Sequence, residues 1–195
     1  MSRWTAIVPI KPARERKQRL ICLDARERLR LTDYMLDHVL VTARDHALVD
    51  TVLLVSDAPH DGVDWLADAG SGLNGELTAA RAMRAERDCL ILLADLPLIC
   101  PDDLSALLET AERYGAALAP DRHGTGTNAL ALKAGVPFTF AFGPESCGRH
   151  AAMVPPLAIV TRQGLAFDID TPDDLHWARD RDIDHGWRYI VPRMG

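Results

Sequence analysis

The sequence predicts an α/β protein built in three layers, α/β/α, around a mostly parallel sheet with a small antiparallel excursion. Two observations carry this. Strand-like and helix-like segments alternate along the chain and are joined by short loops, the pattern of a parallel sheet covered on both faces. One segment, Cys89-Leu90-Ile91-Leu92-Leu93, is apolar without alternation, as a strand buried on both faces must be. After about residue 120 the chain turns more tightly and reads as richer in β, so one antiparallel return is expected there.

Trp4 to Ile10 is the first predicted strand, ended by Pro9 and Pro12. The polar loop Lys11 to Leu20 follows. Asp24 to about His46 is a helix, because Leu29, Met35, Leu36, Val39, Leu40 and Ala43 form a stripe near the 3.6 period. Thr51 to Ser56 is a second strand, ending at Asp57. An irregular piece leads to Gly70-Ser71-Gly72-Leu73-Asn74-Gly75, where Asn74 or Gly75 starts a helix to about Glu86. The central strand runs from Cys89 to Ala94 and stops at Asp95, with Pro97 preventing further pairing. A helix from Pro101 to about Tyr114 has proline at its first position and acids in its first turn, but Cys100 is a poor cap. Ala116 to Pro120 and Ala129 to Lys133 are strands around a glycine-rich loop. Phe138 to Phe142 reads as one more strand. A helix spans Cys147 to Met153, and a strand Leu157 to Thr161. The last helix opens at Thr171-Pro172-Asp173-Asp174, which resembles a capping box with aspartate in place of glutamate.

The 195 residues fit one domain, 1–195, with a core of about five to seven strands. Hydrophobic residues make up 48% and charged ones 26%, the balance of a soluble globular protein. A net charge of -6 without a basic block argues against a nucleic-acid or anionic-membrane surface. The apolar runs are too short to span a bilayer, and Met1-Ser2-Arg3-Trp4 begins no signal peptide. Cys22, Cys89, Cys100 and Cys147 lack C-x-x-C spacing and are expected reduced, in the cytoplasm, with no zinc site. Trp4, Trp65, Trp177 and Trp187 read as core or interface residues. The tail 184–195 carries apolar residues expected to pack on the domain or on a second copy, as in a homodimer.

Asp95 ends a central parallel strand, where α/β proteins place their ligands. The blander reading is a turn cap. Lys11, Lys17 and Arg19 follow the first strand, the usual place for phosphate contacts, and would neutralise a triphosphate or a leaving pyrophosphate. A solvated basic loop is the alternative. The G-x-x-x-x-G-K-[ST] pattern is absent. Gly124-Thr125-Gly126-Thr127-Asn128-Ala129 matches G-x-G-x-x-[GA], but it leads into a strand, so a dinucleotide site is rejected. Its amides and hydroxyls can still hold a phosphate or carboxylate. Asp168 and Asp170 lie two apart, a spacing that in a strand would put both on one side, and one could join Asp95 on a divalent ion. Gly143-Pro144-Glu145-Ser146 precedes a helix and is a candidate anion site. Arg149 and His150 read as surface residues. No G-x-S-x-G elbow is present.

Several blocks together carry a resemblance: Ile7-Val8-Pro9-Ile10-Lys11-Pro12 with Lys17-x-Arg19-Leu20; Gly72-Leu73-Asn74; Ala94-Asp95-Leu96-Pro97; Asp121-Arg122-His123-Gly124-Thr125-Gly126-Thr127-Asn128-Ala129-Leu130; Phe142-Gly143-Pro144-x-Ser146-x-x-Arg149-His150; and Asp168-Ile169-Asp170-Thr171-Pro172-x-Asp174-Leu175. In this order, from about residue 6 to 176, the chain resembles the phospholactate/phosphoenolpyruvate guanylyltransferases of coenzyme F-420 biosynthesis. The resemblance implies a nucleotidyltransferase fold of the GT-A-like type. It implies transfer of GMP from GTP to 2-phospho-L-lactate, phosphoenolpyruvate or 3-phospho-D-glycerate, with magnesium as cofactor. Pro9, Lys11, Lys17, Arg19, Gly72, Leu73, Asn74 and Asp95 would bind the nucleotide, with Lys11, Lys17 and Asp95 catalytic. Asp95, Asp170 and Asp168 would hold the metal. Thr125, Thr127, Asn128, Gly143 and Ser146 would bind the acceptor. The chain departs from the family pattern between Asp57 and Gly72, a short stretch without the extra strand of relatives, and Ser71 replaces a glycine. Two other readings stay open: a nucleotidyltransferase for a molybdopterin or sugar-phosphate acceptor, and a non-catalytic nucleotide-binding protein.

Overall fold

The computed structural model describes residues 3–12, 17–153 and 157–180. Trp187 and the 184–195 tail, with the packing expected of them, lie outside the described residues. In chain order the elements are β1 (Trp4–Pro9), α1 (Ala25–Arg44), β2 (Val49–Ser56), β3 (Asp64–Ala67), α2 (Gly72–Ala82), β4 (Asp88–Leu92), α3 (Pro101–Tyr114), β5 (Ala116–Pro120), β6 (Thr127–Leu132), α4 (Ser146–Ala151), β7 (Ala158–Ile159), α5 (Gln163–Ala166) and α6 (Pro172–Asp180).

The strands form one seven-stranded sheet in the order β3-β2-β1-β4-β6-β5-β7. Only β6 runs antiparallel to its neighbours, pairing Leu92 with Ala129 and Ala119 with Ala129. This is the expected excursion. Its consequence is positional: because β6 is reversed, its first residues, Thr127 and Asn128, lie at the same rim as the carboxyl ends of β1, β2 and β4. The Leu93 amide donates to the Asn128 carbonyl at 3.0 Å, pinning the two ends together.

Residues of β4 alternate between the two cores. Leu90 and Leu92 join Trp4, Val8, Leu36, Val39, Leu104, Leu107 and Leu108, beneath α1 and α3. Cys89 and Ile91 join Ile7, Leu53, Leu77, Leu118, Leu130, Phe140 and Phe142 on the opposite face, with α2 and α4. Each fully buried aliphatic side chain here contributes about 1.5–3 kcal/mol of burial. A third cluster joins Leu20, Leu23, Leu31 and Met35 to Phe167, Ile169 and Leu175, and so ties the loop after β1 to the segment before α6.

The helix ends follow from local chemistry. Asp24 accepts from the Glu27 amide while Glu27 reaches back to the Asp24 amide, both at 2.8 Å, closing a box at the start of α1. At α3 the return contact is made by Asp103, which accepts from the Cys100 amide at 3.0 Å. At α6 Asp174 takes the Thr171 amide and hydroxyl and the Asp170 amide on a single oxygen, so the expected box is present in its acidic half.

Three expectations are corrected. The stretch after Asp57 does contain a strand, β3, at the sheet edge; Asp64-Trp65-Leu66-Ala67 lacks two-residue alternation because an edge strand there buries little, and Trp65 is 44% exposed on it and not in the core. Phe138 to Phe142 is not a strand. The backbone groups that would pair are taken by side chains: the Ala141 amide donates to His150 and the Phe142 amide to Asn74. His150 is fully buried and not on the surface.

Candidate active site

The carboxyl-end rim of the sheet opens into a cleft of about 860 Å³, within the range of small-molecule sites. Its walls come from the ends of β1 (Pro9, Lys11), β2 (Asp57), the start of α2 (Gly72, Leu73, Glu76), the end of β4 (Asp95), the start of β6 (Gly126, Thr127, Asn128), the 143–146 turn (Gly143, Ser146) and the segment before α6 (Asp168, Asp170). Seven separate stretches of sequence therefore meet here because one reversed strand and one tied loop bring them to a single rim.

At the floor Lys17 bridges two acids. Its Nζ donates to Asp95 Oδ2 and to Asp170 Oδ1, each at 2.6 Å. The lysine side chain is 8% exposed, against 24% for Asp95 and 47% for Asp170. Lys17 takes a left-handed φ of 50°, a conformation costing a side-chain-bearing residue about 1 kcal/mol or more. Burial alone would lower the lysine pKa; the two carboxylates more than offset it and the ammonium is held charged. Asp168 is the third acid. One ligand oxygen from each of Asp95, Asp168 and Asp170 lies within 4.8 Å of the others. Burial, then repulsion from Asp95 and Asp170, pushes the Asp168 carboxyl up to about 7, although Lys17 and the Asn128 amide pull the other way. Burial also opposes ionisation of Asp170, but Lys17, with Arg19 and Lys11 behind it, holds that carboxyl below its usual range. Three cations of the first loop, Lys11, Lys17 and Arg19, thus act on one carboxylate. Asp95 Oδ1 is buried with no hydrogen-bond partner among the described residues. An orphaned carboxylate oxygen beside two further acids is a donor set that fits a hard divalent cation.

The side-chain amide of Asn128 is already engaged. It donates to the Leu165 and Ala166 carbonyls and, at 3.4 Å, to Asp168 Oδ1, so it orients that acid. Thr127, only 3% exposed, is among the residues that line the cleft, and its hydroxyl lies 3.0 Å from His150 Nδ1. Asp121 organises the glycine-rich turn by accepting from the amides of His123 and Thr125. Gly126 has no room for a side chain, since a Cβ would sit 2.6 Å from Asp121 Oδ2.

Most of the predicted site residues line the cleft: Pro9, Lys11, Lys17, Gly72, Leu73, Asp95, Thr127, Asn128, Gly143, Ser146, Asp168 and Asp170. Arg19, Asn74 and Thr125 are not among the lining residues, and Arg19 and Thr125 are exposed. Asn74 clips α2 to the 138–142 segment, accepting from the Phe142 amide at 2.7 Å and donating to its carbonyl at 3.2 Å. Sequence reasoning missed Glu76, whose Oε1 accepts from the Ala69 amide, the Ser71 amide and the Ser71 hydroxyl. It thereby shapes the turn entering α2, and Ser71, the departure from the family pattern, is one of its partners. Glu76 comes five positions after Ser71, so no local motif announces the pair.

Among the described residues no helix is long and apolar enough to cross a membrane. The solved structures that share this architecture include a Desulfovibrio desulfuricans protein assigned to the nucleotide-diphospho-sugar transferases, 16% identical with a TM-score of 0.71 over 96% of this chain and 91% of that one. Another is Rv0371C of Mycobacterium tuberculosis in complex with manganese, 17% identical with a TM-score of 0.57 over 90% of this chain and 97% of that one. These likenesses show the nucleotidyltransferase-type fold. In sequence, the phosphoenolpyruvate guanylyltransferase of Sphaerobacter thermophilus is 43% identical over 185 residues, 87% of this chain and 89% of the relative. Residues 4–177 match the family model described as guanylyl transferase CofC like. That span runs from the first strand into the last helix and holds every side chain of the cleft, and the chain belongs to the CofC-like guanylyl transferases.

Proposed function

We propose that this cleft transfers GMP from GTP to a small phosphorylated carboxylic acid, 2-phospho-L-lactate, phosphoenolpyruvate or 3-phospho-D-glycerate, releasing pyrophosphate in coenzyme F-420 biosynthesis. The observation that carries the reading is the meeting of Asp95, Asp168, Asp170 and Lys17 at one strand end, with Lys11 and Arg19 in their field. In this reading Pro9, Lys11, Lys17 and Arg19 border the triphosphate. Gly72 and Leu73 lie toward the base, with Asn74 fixing the start of their helix to Phe142. Thr125, Thr127, Asn128, Gly143 and Ser146 form the acceptor side.

Asp95, Asp168 and Asp170 would hold a divalent cation, magnesium in our reading, which when bound offsets negative charge on the phosphates. The remaining chemistry belongs to the chain's own groups. A phosphate oxygen of the acceptor forms a bond to the α-phosphorus while the α-to-β bridging bond breaks, and the electron pair leaves on pyrophosphate. No protein base is required, because a phosphate dianion is already nucleophilic at neutral pH. Lys11, Lys17 and Arg19 neutralise charge that builds on the leaving group, and the shaped cleft supplies orientation. The same reading takes 1–195 as one catalytic domain acting on small molecules. Its free cysteines suit a reducing compartment, the cytoplasm. A homodimer built through the 184–195 tail is tested by light scattering with and without that segment.

The direct test is a substrate matrix. Each of four NTPs is incubated with magnesium and each of the three phospho-acids, and pyrophosphate is measured. Release with GTP and at least one phospho-acid is expected. Release only with sugar-phosphate or molybdopterin acceptors would replace the reading, and none with any pair would favour a non-catalytic nucleotide-binding protein.

A further inference from the structure

His150 is buried without residue, and both its ring nitrogens are engaged by different elements. The Ala141 amide donates to Nε2 at 2.9 Å. Nδ1 lies 3.0 Å from the Thr127 hydroxyl. A backbone N–H can only donate, so Nε2 must be the acceptor. In a neutral imidazole the single proton then sits on Nδ1 and is donated to Thr127 Oγ1. Burial and the neighbouring Arg149 charge both favour the neutral ring. The rings of Phe138 and Phe142 pack against it, at 5.3 and 4.9 Å between centroids, and fix its plane.

The hydroxyl of Thr127 therefore receives a proton from behind. Among the described residues it makes no other hydrogen bond, and Thr127 lines the cleft beside Ser146 and Gly143. Its own proton is left to be donated forward. A hydroxyl held in this way suits an anionic oxygen, an acceptor only, and discriminates against a group that must donate.

We propose that His150 is a positioning residue that makes the Thr127 hydroxyl an obligate donor to an anionic oxygen, carboxylate or phosphate, of the acceptor substrate. The inference rests on the acceptor side assigned under Proposed function. It adds a residue that touches no substrate and sets the polarity of one that does.

Two conservative variants separate positioning from mere support. In His150→Asn the amide nitrogen falls near Nδ1 and keeps the donation to Thr127, while the Ala141 contact is lost. In His150→Gln the amide oxygen reaches toward Nε2 and keeps the Ala141 contact, while the donation is lost. Positioning predicts that the asparagine variant retains acceptor KM within about threefold. The glutamine variant should raise it about ten- to hundredfold, the span of a lost hydrogen bond to a charged group, with KM for GTP changed less than about twofold. Thr127→Val should give the same rise, Thr127→Ser should not, and adding His150→Gln to Thr127→Val should bring no further loss. In the unliganded wild-type protein, nitrogen-15 spectra should show the Nδ1–H tautomer at His150. Glutamine performing as well as asparagine, or an Nε2–H tautomer, would overturn the inference while leaving guanylyl transfer standing. Should both His150 variants fail to fold, the tautomer and the Thr127 pair decide alone. A wild-type protein that releases no pyrophosphate with any acceptor would instead remove the function on which the inference rests.

Discussion

Lys17→Met gives the sharpest test of how the acids at the end of β4 are held. In the structure the lysine ammonium occupies the space between Asp95 and Asp170, 2.6 Å from each. A divalent cation binding the same carboxylates competes with it for their negative charge. An exposed ion pair is worth about 0–1 kcal/mol, and breaking a buried one costs about 3–5. Lys17 is buried but its partners are partly solvated, which places the competing interaction at about 1.5–3 kcal/mol. Methionine fills similar volume without the charge. In the absence of nucleotide, Lys17→Met should therefore bind manganese about ten- to hundredfold more tightly, read by titration calorimetry. Without metal the same variant should unfold at lower denaturant, since three clustered carboxylates lose their cation, and manganese should restore the midpoint. Turnover should fall even so, because in the proposed function the lysine also neutralises the triphosphate. Manganese affinity that is unchanged or weaker, with no change in metal-free stability, would refute the reasoning.

Further outcomes follow from the same geometry. Asp95→Ala should lose pyrophosphate release by at least about a thousandfold while the circular dichroism spectrum stays native; full activity would remove Asp95 from the site. The His150 ring is held neutral by burial, then by Arg149, with its pKa lowered to about 4, against about 6.5 in the unfolded chain. A depressed histidine costs stability as pH falls below the unfolded value, so about 2 kcal/mol should be lost between pH 8 and pH 5 on its account, and denaturation of His150→Gln should lack that component. Gly164→Ala should destabilise by several kcal/mol, because its Cβ would meet Asp103 Oδ2 at 1.9 Å and the Leu98 carbonyl at 2.6 Å; a variant as stable as wild type would mean that α5 packs elsewhere.

Much of this is legible in the sequence. The unalternated run at Cys89 to Leu93 marked a central strand, and the proline and acids after Cys100 marked α3, because those signals are local and strong. Asp168 and Asp170 declared themselves by their two-residue spacing, though only the tertiary fold sets Asp95 beside them. The failures share a cause. β3 is short, sits at an edge and buries little, so its pattern carries no period. The 138–142 segment looks like a strand by composition, but its hydrogen bonds go to Asn74 and His150, side chains 68 and 9 residues from their partners. Sequence alone suggests an exposed His150, because nothing in its immediate neighbours foretells the Phe138, Phe140 and Phe142 cluster that covers it. Long-range side-chain pairing is where one-dimensional pattern stops being informative.

The central claim is that one nucleotide lies across Lys11, Lys17 and the three acids of the sheet rim. A crystal structure with a non-hydrolysable GTP analogue and magnesium tests it most directly. The account predicts a cation bound to Asp95, Asp168 and Asp170, with the lysine ammonium shifted off those carboxylates onto phosphate oxygens. A nucleotide seated away from this rim, or a cation held by other side chains with Lys17 still clasping Asp95, would contradict it.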